Sequence, residues 1–80
     1  MKVPRDLSGT ELVKALSKVG YRVTRQTGSH IRLTTDHPSK HHVTIPAHDP
    51  LKVGTLSGIL GDVSDHLKIG RDDLLQKLFG

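Results

Sequence analysis

Apolar positions change their spacing along the chain, and each change marks an element. Leu12, Val13, Leu16 and Val19 recur at helical intervals behind Ser8 and Glu11. That serine and glutamate have the separation of a capping box, in which the serine oxygen accepts a free amide and the glutamate reaches back. The spacing predicts a first helix over residues 9–19, stopped by Gly20. From Tyr21 the period falls to two: Tyr21 and Val23 alternate with Arg22 and Thr24 as in a half-buried strand. Thr27-Gly28-Ser29 reads as a turn. Ile31 and Leu33 then alternate with His30, Arg32 and Thr34, and Val43 and Ile45 with His42 and Thr44, the two runs being separated by the polar stretch Asp36-His37-Pro38-Ser39-Lys40. Pro46 ends the third strand.

After a loop, AHDPLKVG, helical spacing returns. Thr55 stands where a cap is wanted, Leu56, Ile59, Leu60 and Val63 make one stripe, and Gly58 and Gly61 weaken the helix. A last helix, residues 71–78, carries Leu74, Leu75 and Leu78 on one side behind Asp72 and Asp73, where the positive end of the helix dipole favours carboxylates. The string is α-β-β-β-α with a short helical tail. By the layer rule this predicts an α+β fold, an antiparallel three-stranded sheet with helices on one face, as one domain over residues 1–80.

Strand parity then decides what faces water. With Ile31, Leu33, Val43 and Ile45 towards the helices, His30, Arg32, Thr34, His42 and Thr44 go to the open face. Pairing Leu33 with Val43 sets Arg32 opposite Thr44 and Thr34 opposite His42, which keeps His42 some residues along the sheet from His30. Arg25 falls on the inward parity with Tyr21 and Val23, which predicts a strand end or a bulge there.

Composition narrows the chemistry. At 80 residues the chain buries about 60–65% of its unfolded surface, and with one tyrosine, one phenylalanine and no tryptophan it has little with which to line an aromatic cofactor pocket. It has no cysteine, so neither a disulfide nor a Cys-type zinc site is available. With no long apolar run and no signal-like segment, the chain reads as soluble and cytoplasmic, without a membrane role. Residues 1–48 hold eight Lys/Arg against three Asp/Glu, and residues 49–80 four against five, so the net +4 belongs to the first half. A basic half that presents a sheet face points to a polyanion, RNA or DNA before membrane.

Several of these residues also form an ordered set: Gly20-Tyr21, the Gly28-Ser29-His30 triplet on a hairpin, Thr44-Ile45-Pro46 with His48 two residues on, and Gly54-Thr55-Leu56 entering a helix with Ile59-Leu60. Over residues 8–78 this set resembles the HicA (YcfA-like) family of toxin ribonucleases. The resemblance implies a fold like a double-stranded-RNA-binding domain, cleavage of messenger RNA by the histidine of Gly-Ser-His, no cofactor, and neutralisation by a HicB-type antitoxin that covers His30. It makes His30 the catalytic residue. The second helix departs from the pattern: LSGILGDVS carries no Lys or Arg, where relatives often have basic residues.

The chemistry fits such a site. RNA brings its own nucleophile, the 2′-hydroxyl, so scission needs a base for that proton, an acid for the leaving oxygen and positive charge near the phosphorane. An imidazole serves either proton step near neutral pH. Arg32, two residues along on the same side, is placed to hold a phosphate oxygen, Gly28 and Ser29 form the turn that presents His30, and Arg22 and Lys40 extend the basic surface. His48, just after the third strand, is the candidate for the second proton transfer, with solvent as the alternative. A non-catalytic RNA-binding module would use the same face. The trio His37, His41 and His42 raises a metal site, against which Pro38 removes the helix that would make an i,i+4 pair converge. Asp72 and Asp73 are explained by helix capping, and His66 has no assigned partner.

Overall fold

The computed structural model describes residues 3–80. Its elements run α1 (Gly9–Ser17), β1 (Arg22–Thr27), β2 (His30–Thr35), β3 (His41–Pro46), α2 (Val53–Leu67) and α3 (Arg71–Phe79). The strands form one antiparallel sheet in the order β1-β2-β3. The order α-β-β-β-α-α is that of a double-stranded-RNA-binding-domain-like α+β fold.

The first helix begins as the sequence predicts. The Ser8 side chain accepts from the Glu11 amide, and the Glu11 carboxylate accepts from the Ser8 amide, an arrangement worth about 0.5–2 kcal/mol. The Ser8 amide, and then the Ser8 hydroxyl, hold the Glu11 carboxyl below its usual range. The helix stops two residues short of the predicted end. Gly20 takes φ +98°, and the amides of Gly20 and Tyr21 turn back to the carbonyls of Ser17 and Leu16, which satisfies the last orphan acceptors.

Parity holds on β2 and β3. Ile31, Leu33, Val43 and Ile45 are buried with Leu12, Leu16, Leu60, Val63, Leu74 and Leu78 in one core. The register pairs Leu33 with Val43, Arg32 with Thr44 and Thr34 with His42, as expected. β1 departs from the simple pattern. Val23, expected to be half-buried, is 51% exposed, like all six residues of β1, because α2 packs against β3 at the other edge of the sheet, where Val43 and Ile45 are buried. Tyr21, just before β1, is the residue that enters the core, at 2% exposure. Between Val23 and Arg25 the register shifts by one residue, a bulge that returns Arg25 to the side of its new partner Arg32.

Two further expectations are corrected. Thr55 does not cap α2; the helix starts at Val53 with Lys52 in the cap position and no side-chain capping bond. The start is set upstream, where buried Leu51 donates its amide to the Leu7 carbonyl and leaves the chain one residue in which to turn. Thr34 points to the open face yet is only 4% exposed, since the Thr24 hydroxyl and His42 Nδ1 close over its hydroxyl at 2.7 and 2.8 Å. No helix of the described residues is long and apolar enough to cross a membrane.

One contact ties α1 to the end of β3. The Gly9 amide donates to the His48 carbonyl (2.9 Å), and a Cβ at Gly9 would run into the Pro46 carbonyl. Gly9→Ala is therefore expected to cost about 1–3 kcal/mol, a fall of roughly 4–8 °C in Tm per kcal/mol for a chain of this size. Gly58→Ala, in α2 with open space around it, should instead stabilise by about 0.5–1 kcal/mol. Thermal melts of both variants check this; shifts of the same sign would contradict the packing at Gly9.

Candidate active site

His30 opens β2 directly after a two-residue turn. Thr27 pairs with His30 across it, and Gly28 leads the turn at φ +57° with nothing near its missing side chain. A glycine in that conformation lets the strands reverse tightly, so the imidazole stands at the end of the sheet, exposed. On its other side His30 pairs with Pro46. Ala47 donates its amide to the Ser29 carbonyl, which ties the start of the following loop to the turn.

That loop places His48 at the same end of the molecule as His30. Its carbonyl faces the start of α1 and its side chain is exposed. The two histidines thus share one end of the sheet through backbone hydrogen bonds rather than through a contact between their rings.

Residues paired across antiparallel strands share a face. The open face therefore carries Thr27, Arg25 and Arg22 from β1, His30, Arg32 and Thr34 from β2, and Pro46, Thr44 and His42 from β3. Arg25 was the residue that parity had sent inward. Its recovery by the bulge adds a guanidinium opposite Arg32. The basic residues differ in their commitments: Arg22 pairs with Asp36 at 3.1 Å and reaches towards the Thr34 carbonyl, whereas Arg25 and Arg32 make no ion pair and no side-chain hydrogen bond among the described residues. Lys40 is exposed just before β3.

The pKa of the His42 imidazole lies below the usual histidine range, first because neighbouring atoms strip water from the ring and then because Arg32 and Lys40 oppose a further positive charge, Asp36 acting the other way.

The other histidines divide by parity. His41 and His42 are adjacent in β3 and point to opposite sides of the sheet, so the trio with His37 does not converge. His41 faces the helices, where its Nδ1 meets the Tyr21 hydroxyl at 2.8 Å and its Nε2 lies 3.3 Å from Asp62. His66, left without a partner by the sequence, stacks on His41 with ring centres 4.2 Å apart. Its position four residues after Asp62 was the available signal, because i and i+4 share a helix face. Burial, and then the Asp62 charge, push the Tyr21 hydroxyl up to about 12. This cluster joins α2 to the sheet on the side away from His30.

A cleft of about 610 Å³ lies on the helical side between Val3, Leu51, Leu56 and Leu75; the open-face residues line neither it nor the shallower cleft beside Leu7, Ala15 and Phe79. An exposed imidazole beside free guanidiniums on a shallow basic surface suits a chain-like polyanion better than an enclosed small molecule. The family described as the HicA toxin of bacterial toxin–antitoxin systems matches residues 9–64. The chain belongs to the HicA toxin family. It follows that it is a toxin of a toxin–antitoxin pair. The match takes in α1, the whole sheet and most of α2, and so includes every residue of the HicA-like open face. No curated protein and no solved structure matches this HicA-family chain.

The electrostatics of the face yield a titration test. Because the His42 value is depressed, its neutral form is favoured in the folded state. Its contribution to stability is complete above the ordinary value of 6.5 and is lost as pH falls from there through the depressed value. NMR titration should find the His42 ring protonating below the ordinary value, and Arg32→Ala should move it part of the way back. A ring that titrates at the same pH in the Arg32→Ala variant as in the wild type would show that the Arg32 charge does not act on it.

Proposed function

We propose that this toxin is a metal-independent endoribonuclease that cleaves messenger RNA, with His30 as the acid/base residue. The observation that carries the reading is the placement of His30: a glycine-led turn holds an exposed imidazole at the end of a sheet face on which Arg32 and Arg25 have no other electrostatic commitment.

In the reaction the 2′-hydroxyl of the substrate attacks the adjacent phosphorus and loses its proton, while the P–O5′ bond breaks and the 5′-oxygen gains one. His30 performs one of these transfers. His48 is the candidate for the other, supported by its location at the same end of the sheet and by its exposure. Arg32, one side chain along the face from His30, offers a planar fork to the phosphate oxygens as negative charge builds. Gly28 and Ser29 let the RNA backbone approach the turn. Lys40 adds attraction at longer range, and Arg22 contributes less because Asp36 already neutralises it.

The second reading, an RNA-binding module without catalysis, draws on the same basic face and differs only in His30. His30→Ala should keep its melting temperature to within about 0.5 kcal/mol of stability, since an exposed side chain packs little, and should lose about 10²- to 10⁴-fold in cleavage rate. His48→Ala should fall between that variant and wild type, and His37→Ala should cut almost normally. Cleavage should persist in excess EDTA. Gel-resolved cleavage beside RNA-binding measurements decides: a folded His30→Ala protein that cuts at the wild-type rate removes the assignment, and wild-type protein that binds RNA without cutting favours the binding module.

The antitoxin is proposed to be an acidic HicB-type protein seated over His30 and Arg32, because an exposed histidine on a basic face leaves cellular RNA unprotected unless it is covered. Co-expression and pull-down with the product of a neighbouring reading frame should give a complex that suppresses RNA cleavage. Complex formation without suppression would place the antitoxin on another surface.

A further inference from the structure

The bulge in β1, whose extra residue Thr24 closes over Thr34, also creates an arrangement that costs the sheet energy. By setting Arg25 directly opposite Arg32, it places two like charges as cross-strand neighbours, a pairing that weakens a sheet. Neither guanidinium is relieved by a carboxylate or a side-chain hydrogen bond among the described residues. Asp36, the acidic residue available on this part of the sheet, is taken by Arg22. Without the extra residue, Arg25 would have continued on the core-facing parity of Val23, at the exposed edge of the sheet, and the like-charge contact would not exist.

Anions on the open face would relieve both charges. Arg32 lies two residues along β2 from His30, about 7 Å, close enough for its long side chain and the imidazole to meet one phosphate. Arg25 lies about 5 Å across from Arg32 on the neighbouring strand, further from His30, where the next phosphate of an extended RNA backbone would pass. We infer that Arg25 is a phosphate-binding residue for the linkage next to the one being cut, so that the site takes two consecutive phosphates, one shared by His30 and Arg32 and the next held by Arg25. The inference rests on the ribonuclease reading and adds a binding residue to it. It predicts that the enzyme measures backbone charge on one side of the scissile bond.

The test uses a short RNA whose only free 2′-hydroxyl lies at the bond to be cut, with an uncharged methylphosphonate placed one linkage to either side. For the wild-type chain, neutralising one of these two neighbours should lower kcat/KM about tenfold, the range of one charge-assisted hydrogen bond, and the other should matter less. Arg25→Ala should respond equally weakly to both substitutions, and Lys77→Ala, on the exposed side of α3, should keep the wild-type response. The same oligonucleotides are titrated against His30→Ala protein, so that the coupling is also read in Kd without cleavage. An Arg25→Ala protein as sensitive as wild type, or a wild-type chain indifferent on both sides, overturns the inference while leaving RNA cleavage intact. If no RNA is cut, the ribonuclease reading fails separately, and the binding titration alone decides the role of Arg25.

Discussion

Burial of Leu33 opposite Val43 on the helix-covered side of the sheet is the constraint from which the remaining geometry follows. A strand side chain can face only one of two ways, so placing these two residues inward sends Arg32 and Thr44 outward. The inward set is completed by Ile31 and Ile45 and closed by leucines from all three helices. Moving the register by one residue would expose that apolar set and bury Arg32. The cost of burying an unpaired charge is therefore what keeps the basic residues of β2 in water, where a polyanion can meet them.

The site belongs to the edges of this constraint rather than to its centre. His30 stands at the first position of β2, where the turn relaxes the demand for packing, and His48 lies beyond the last residue of β3. Both are anchored by backbone bonds, Ala47 to Ser29 and Gly9 to His48, so the side chains are free to take part in chemistry while the main chain stays fixed. Such a layout leaves the side chains on an open surface and not in a pocket.

The opposite end of the sheet shows the same economy used for structure. Tyr21, His41, Asp62 and His66 join β3 and α2 through a hydrogen bond, an ion pair and a ring stack. One pair of adjacent histidines thus serves two surfaces: His41 consolidates the layer contact, and His42 closes over Thr34 on the open face. The single-residue spacing between them is enough, because alternate strand positions lie on opposite sides.

The sequence by itself determined the elements and the inner register. Helical and twofold periods reflect local backbone geometry, and the Ser8–Glu11 box, the leucine stripes of α2 and α3, the Leu33–Val43 pairing and the exposure of His30 were all legible from them. The ordered motifs likewise pointed to the HicA family before any geometry was known. What the tertiary structure decided involves partners distant in sequence. Val23 is exposed because α2 packs against β3 at the other edge of the sheet, α2 begins at Val53 because Leu51 is bonded to Leu7, Thr34 is covered because Thr24 and His42 close over it, and His66 finds its partner in a strand 25 residues earlier. The conflict at Arg25 could be seen in the chain, as a charge on the wrong parity. Only pairing with β2 could decide between a strand end and a bulge, since a bulge is a relation between two strands.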